Sequence, residues 1–359
     1  MLSIGQVIQL EITSIASTGF GRGVFEDETP LSVFVPYSVV GDVLEVEITE
    51  KKKVYFQARI KKIISPSKDR QTPVCQHFMK CGACDWLHMT YDAQLRAKES
   101  LLRFFAKKVA IDLSSLTVLP SPQPLHYRDK VRVTNGGFYQ RQSHTIEPIS
   151  SCSLIHPALN KQVFPTSSSG VFAYDYADNK VSSSWASYDL DGLKLLHHVN
   201  GFVQSNTLLN QELVRLVCSK VVGDTVLDLY CGNGNFTLPL AKQGCAVTAV
   251  EGDKVGFSLL CANLKNNDLH ATVLHQDVKA LSLDTSSFDT VILDPPRAGC
   301  DGVLSSLSSS RVIYVSCNPQ VALKEIRDSP YILKETFLVD LFPQTRHLEA
   351  VFILELKKE

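Results

Sequence analysis

From about residue 198 onward the sequence alternates short runs rich in β-branched residues with helix-forming stretches. No other feature constrains the fold as much. The runs at 226–230, 246–251, 272–277, 288–294 and 312–317 read as strands with helices between them, and repeated units of that kind build a parallel, doubly wound α/β sheet. Two more apolar runs, 332–342 and 350–356, follow without a full crossover helix between them, so the expected sheet has seven strands.

In open sheets of this class, ligands bind beyond the carboxyl ends of the strands. Asp228-Leu229-Tyr230-Cys231-Gly232-Asn233-Gly234-Asn235-Phe236 lies at the first such end, where Gly232 and Gly234 let a ligand approach the backbone. Glu251 ends the next run and can hold a pair of ribose hydroxyls, and Asp277 ends the third. Together they describe a site for an adenosine-containing cofactor. The missing third glycine of the dinucleotide fingerprint favours S-adenosylmethionine over NAD. Taken singly, Glu251 and Asp277 are equally good helix N-caps. Asp294-Pro295-Pro296-Arg297-Ala298-Gly299 follows the fourth run. Its prolines stiffen a loop whose carboxylate can order the cofactor's methionine end or a substrate base. Similar acidic Pro-Pro loops serve amino-directed nucleic-acid methyltransferases, the main enzymatic competitor.

The fifth run stops at Ser316-Cys317-Asn318-Pro319, which sets a thiol at a strand-to-helix junction. With Asn318 as N-cap and Pro319 as first helical residue, the helix dipole is expected to lower the thiol pKa. Read alone, Cys317 serves as well as a small buried hydrophobe.

The earlier part of the chain is different. Residues 1–62 alternate apolar and polar positions between Gly-rich turns, and read as a small OB-like β-barrel. The run from Lys51 to Lys62 mixes cations with Tyr55 and Phe56, which suits phosphate contacts and base stacking, or else a lysine-protected sheet edge. After a polar linker, residues 63–197 open on Cys75, Cys81 and Cys84, a C-x5-C-x2-C cluster too dense for core packing. Cys152 is the best fourth ligand, because the remaining cysteines fall in the α/β part. The three-plus-one spacing favours an iron–sulfur cluster, with structural zinc kept open by His77 and His88. An amphipathic helix is expected over 91–109, a basic strand over 127–133, and little can be said of the Ser-rich stretch 165–200. No run is long and apolar enough for a membrane helix, and ten unevenly spaced cysteines suit a reducing compartment, so a cytoplasmic protein is expected; the expected state is a monomer, on which the sequence itself is silent. A net charge of -1 excludes a uniformly basic nucleic-acid binder but not local basic patches.

Phe202-Val203-Gln204-Ser205-Asn206, the 228–236 loop, Asp294-Pro-Pro-Arg-Ala-Gly, Ser316-Cys317-Asn318-Pro319 and His347-Leu348-Glu349 together resemble the ordered motif set of the RNA uracil-5-methyltransferases. The branch most similar is the one that methylates 23S ribosomal RNA. The resemblance implies a class I S-adenosylmethionine methyltransferase domain at 198–359, a TRAM domain at 1–62, and a central domain at 63–197. It implies a [4Fe-4S] cluster on Cys75, Cys81, Cys84 and Cys152. It also implies that Gln204, Tyr230, Asn235, Glu251, Asp277 and Asp294 contact S-adenosylmethionine, that Cys317 is the nucleophile, and that Glu349 is the base. RNA is the implied partner, with transfer RNA as the other substrate and a non-catalytic ribosome-assembly factor as the rival role. Two features depart from the family: the chain is somewhat short, and Arg346 stands where the family often has a small residue.

Overall fold

In the computed structural model, residues 2–164 and 168–357 are described; the start of the Ser-rich stretch, 165–167, lies outside them. The chain forms two compact units, one of Met1–Leu101, Phe138–Glu147 and Pro343–Arg346, the other of Leu102–Gly137, Pro148–Phe342 and His347–Glu359.

The first unit is built on a six-stranded sheet in the order Val7–Glu11, Val43–Lys51, Phe56–Ser65, Leu31–Val35, Gly21–Phe25, Ser14–Ile15. Period-two alternation sends Ile8 and Leu10 from one strand, and Leu44, Val46 and Ile48 from the next, into one core with Val33, Val35 and Phe56. Fully burying each such aliphatic side chain contributes about 1.5–3 kcal/mol. The basic run is less bare than its sequence suggests. Antiparallel pairing sets Glu47 beside Arg59 (2.9 Å) and Lys61 (3.1 Å), and Lys52 pairs with Glu50. Cross-strand partners distant in sequence thus offset part of the charge. Within the same unit, Gln344 and Gln94 exchange hydrogen bonds, and Arg346 N–H donates to Asp85 at 3.0 Å, which gives Arg346 a local partner. The expected helix forms as Tyr91–Lys108, burying Ala93, Ala97, Leu101 and Phe105 at four-residue spacing.

The second unit holds the α/β sheet. Its spatial order is Thr272–His275, Ala246–Glu251, Thr225–Leu229, Thr290–Leu293, Arg311–Ser316, Ala350–Leu356, Tyr331–Val339, Leu116–Leu119. The first five are mutually parallel, and Ala350–Leu356 runs antiparallel between Arg311–Ser316 and Tyr331–Val339. Central strands are buried on both faces, as Thr290–Leu293 and Val312–Ser316 show, so they read as continuous apolar runs. The sheet therefore has eight strands rather than the expected seven. The added edge strand Leu116–Leu119 pairs in parallel with Tyr331–Val339, over two hundred residues later in sequence. Three half-buried residues and an exposed Thr117 carry no readable periodicity, and only long-range backbone pairing makes them a strand.

Helix Thr207–Ser219 turns Leu209, Leu213, Val214 and Val217 onto the sheet, where they join Phe236, Leu238 and Leu240 in the main core. A hairpin of Trp185–Leu190 and Leu193–His198 turns at Asp191 and Gly192, both at positive φ, and lays Tyr188 against that core.

Candidate active site

The site residues gather at the carboxyl ends of the parallel strands. The turn after Thr225–Leu229 is tightly wound: Tyr230, Gly232 and Gly234 all have positive φ, at 63°, 56° and 98°. A Cβ at Gly234 would fall 2.2 Å from Leu238 Cδ1, so the turn packs there without room for a side chain. At Gly232 nothing lies within 4 Å, and the backbone faces open space. Gly232 N–H donates to Glu251 Oε2 at 2.7 Å and Asp253 N–H donates to Oε1 at 2.6 Å. These bonds aim the Glu251 carboxylate and leave lone pairs for other donors. The N-cap of the following helix Lys254–Asn266 is Asp253, so Glu251 is free of that role.

Three acidic groups behind this turn hold their protons tightly. Asp228 is fully buried. One oxygen accepts from Thr237 Oγ1 at 2.6 Å, the other has no partner, and burial pushes its pKa up to about 7. Asp294 is also raised to about 7, first by burial and then by Asp228. Glu349 is 1% exposed, neither carboxylate oxygen has a partner, and burial, reinforced by Asp294, raises its pKa well above the usual range. A buried acid with both oxygens unpaired favours its neutral form and is poised for a ligand. Tyr230 Oη is likewise buried without a partner.

Cys317 follows strand Arg311–Ser316, and Glu349 precedes strand Ala350–Leu356. The antiparallel register ends on Ser316 paired with Ala350, so the next positions, 317 and 349, face each other. Asn318 is the N-cap of Pro319–Arg327 with Pro319 in its first turn, as expected from sequence. The expected lowering of the thiol pKa does not follow. Burial, then the Glu349 and Asp294 carboxylates, push Cys317 up to about 11, while the nearby Arg297 guanidinium acts in the opposite direction. Desolvation and two neighbouring acids outweigh the helix terminus.

Other predicted residues have additional ties. Asn235 exchanges hydrogen bonds with Asn210 at 2.8 and 3.0 Å and accepts from Tyr188 Oη. Asp277 caps the short turn Val278–Ala280 through Lys279 N–H. Gln204 is buried and lines a small cavity with Asp129, Tyr176, Tyr188 and Thr207. Asp129, raised to about 6 by burial, was not singled out by sequence; nor was Arg297, although its motif was. Cys75, Cys81 and Cys84 lie in the first unit and Cys152 in the second. Cys81 is buried, and Ala83 N–H points at its sulfur at 3.4 Å. Among the described residues, no three His, Cys, Asp or Glu side chains are gathered as a metal-ligand set.

The structure resembles that of the Pyrococcus abyssi tRNA (uracil-54, C5)-methyltransferase, solved in complex with S-adenosyl-L-homocysteine. The TM-score is 0.77 over 97% of this chain and 100% of that one, at 22% identity. That fold is the class I S-adenosylmethionine-dependent methyltransferase fold. Residues 191–276 and 271–357 match the family described as tRNA (Uracil-5-)-methyltransferase. The sequence is 30% identical to the 23S rRNA (uracil(1939)-C(5))-methyltransferase RlmD of Tolumonas auensis, over 98% of this chain and 97% of the relative. It is also 30% identical to the RlmD of Shewanella amazonensis, over 94% and 93%. The chain belongs to the RNA uracil-C5-methyltransferase family.

Proposed function

We propose that this protein methylates carbon 5 of a uridine in 23S ribosomal RNA, with Cys317 as nucleophile and Glu349 as base. The pairing that sets Cys317 opposite a buried Glu349 with two unpartnered oxygens carries the reading. The near full-length similarity to relatives named for 23S rRNA supports the substrate.

S-adenosylmethionine supplies an electrophilic methyl group on its sulfonium when bound. Tyr230, Gly232, Gly234 and Glu251 would hold its adenosine end, with Gln204, Asn235, Asp277 and Asp294 as further contacts. The open backbone at Gly232, the aimed Glu251 carboxylate and the unpartnered Tyr230 hydroxyl suit that role. Uracil carbon 5 is a poor nucleophile. Attack of the Cys317 thiolate on carbon 6 turns the ring into an enolate whose carbon 5 can take the methyl group. Glu349 then removes the carbon 5 proton, the carbon 5–carbon 6 double bond re-forms, and the Cys317–carbon 6 bond breaks with its electron pair returning to sulfur. Arg297, against the thiol, favours the thiolate. Both ring faces must be reachable, so the uridine is flipped or unstacked.

The N-terminal sheet is read as a TRAM-type RNA-binding barrel over 1–62, and 63–197 as the central domain. Cys75, Cys81, Cys84 and Cys152 are read as [4Fe-4S] ligands on the strength of their spacing. The Ala83 amide aimed at the Cys81 sulfur suits an anionic sulfur, and no step of the reaction runs through the cluster. Iron and sulfide assays on anaerobically purified protein test this ligand set: zinc without sulfide overturns it. A monomer in the cytoplasm is the form this reading implies.

Incubation with methyl-labelled S-adenosylmethionine and separated RNAs, followed by nucleoside mass spectrometry, tests the activity. We expect 5-methyluridine in 23S rRNA. Label in transfer RNA alone overturns the substrate, and label in neither overturns the enzyme.

A further inference from the structure

The loop at 294–302 carries Asp294 and Arg297, and two side chains of the helix after Cys317 fasten it at separate points. Asn318 occupies the N-cap position yet makes no capping hydrogen bond. Its Nδ2 instead donates to the Arg297 carbonyl oxygen at 2.9 Å. Two turns along the helix, Glu325 Oε1 accepts the N–H groups of Cys300 and Asp301, both at 3.0 Å, and Oε2 accepts from Tyr314 Oη at 2.5 Å. Between these ties lies Gly299, at φ 91°, where a Cβ would fall 2.6 Å from both Glu325 Oε1 and Val321 Cγ1. Loop and helix therefore meet without an intervening side chain.

An N-cap Asn normally accepts from the helix's first N–H groups through its side-chain oxygen; Asn318 makes no such bond, and its amide nitrogen is turned to the loop carbonyl. A carboxylate accepting three donors is a strong local anchor. Arg297 is exposed and long, and without a fixed backbone beneath it, holding its guanidinium against the thiol would cost the full conformational entropy of loop and side chain. Glu325 and Asn318 remove the loop's share of that cost. Neither touches a reacting atom.

We propose that Glu325, together with Asn318, is a positioning residue for methyl transfer: it holds the 294–302 backbone on the Cys317 helix so that Arg297 stays against the thiol. This rests on the reading of Cys317 as nucleophile.

The test is the pH dependence of Cys317 alkylation by iodoacetamide in the full chain, followed by peptide mass spectrometry without RNA or methyl donor. Glu325→Ala is expected to move the profile up by about one pH unit, so that Cys317 reacts about tenfold more slowly at pH 8. Asn318→Ala moves it in the same direction. Glu325→Gln, whose carbonyl oxygen can still accept the two loop N–H groups, stays within about twofold of wild type. Across the series kcat for methyl transfer falls with the alkylation rate while KM for S-adenosylmethionine holds. Superimposable wild-type and Glu325→Ala profiles overturn the proposal, as does a Glu325→Gln loss equal to that of Glu325→Ala. If circular dichroism shows Glu325→Ala unfolded, an unchanged Asn318→Ala profile overturns it. A shifted profile in a chain that methylates no uridine sinks the functional reading alone. Methylation with an unshifted profile sinks the positioning role alone.

Discussion

Cys317 and Glu349 face each other one position beyond the last pair, Ser316 with Ala350, of an antiparallel ladder. Thirty-one residues separate them in sequence. The non-crossover ending of the sheet brings them together: Ala350–Leu356 returns beside Arg311–Ser316 in the opposite direction, so one strand's carboxyl end meets the next strand's start.

Replacing Cys317 with Ala should abolish methyl transfer while leaving S-adenosylmethionine affinity within about twofold of wild type, since the thiol adds only one small group to the pocket wall. Isothermal titration alongside a transfer assay separates the two effects. Residual turnover near the wild-type rate would remove Cys317 from the reaction.

Both the thiol, raised to about 11, and Glu349, raised by burial, must lose protons before they act. The single-turnover rate should therefore climb with pH from 6 to 9, by up to about tenfold per unit where one deprotonation limits. Arg297→Ala removes a neighbouring group that lowers the thiol pKa and should slow the reaction several-fold at pH 8, with the deficit shrinking as pH rises. A rate flat in pH would contradict this assignment.

Gly234→Ala should cost about 1–3 kcal/mol or more, because φ of 98° and a Cβ 2.2 Å from Leu238 act together. Gly232→Ala meets only its φ of 56° and should cost about 1 kcal/mol. Urea unfolding of both variants checks the ranking, and equal losses would show that packing at Gly234 is relaxed.

Asp228 has a folded pKa of about 7 against an ordinary 3.8. Its folded state holds the proton more tightly, so the associated stability is complete below about pH 4 and is lost as pH rises through 7. Asp228→Asn keeps an acceptor for Thr237 and cannot ionise. Its Tm should exceed that of wild type by several degrees at pH 8, roughly 2–4 °C per kcal/mol, by less at pH 5, and the gap should close only near pH 4. Parallel Tm–pH curves would contradict the buried-acid reading.

Much of this architecture was legible from residue pattern alone. Fully buried parallel strands leave uninterrupted apolar runs, and the glycine turn, Glu251, Asp294 and the Cys317 junction mark the strand ends where ligands bind. Leu116–Leu119 was not legible as a strand of this sheet, because a four-residue edge strand owes its existence to a partner far along the chain. Neither was the direction of the Cys317 shift. The helix start that predicts a lowered pKa is visible in sequence, whereas the burial that raises it, and the two acids that reinforce it, arrive only through folding: the register of a later strand and the path of a separate loop. Glu47, the cross-strand partner of Arg59 and Lys61 in the basic run, is hidden for the same reason.

Formation of a covalent Cys317–uracil adduct and its release by Glu349 are best probed with Glu349→Gln. The amide can fill the buried site but cannot take the carbon 5 proton, so elimination stalls after methylation. Incubation of the variant with S-adenosylmethionine and 23S rRNA, followed by a denaturing gel and mass spectrometry of the linked peptide, should show a methylated adduct on Cys317 accumulating to near stoichiometry. Free enzyme alone with wild-type turnover would rule out Glu349 as the base that releases Cys317.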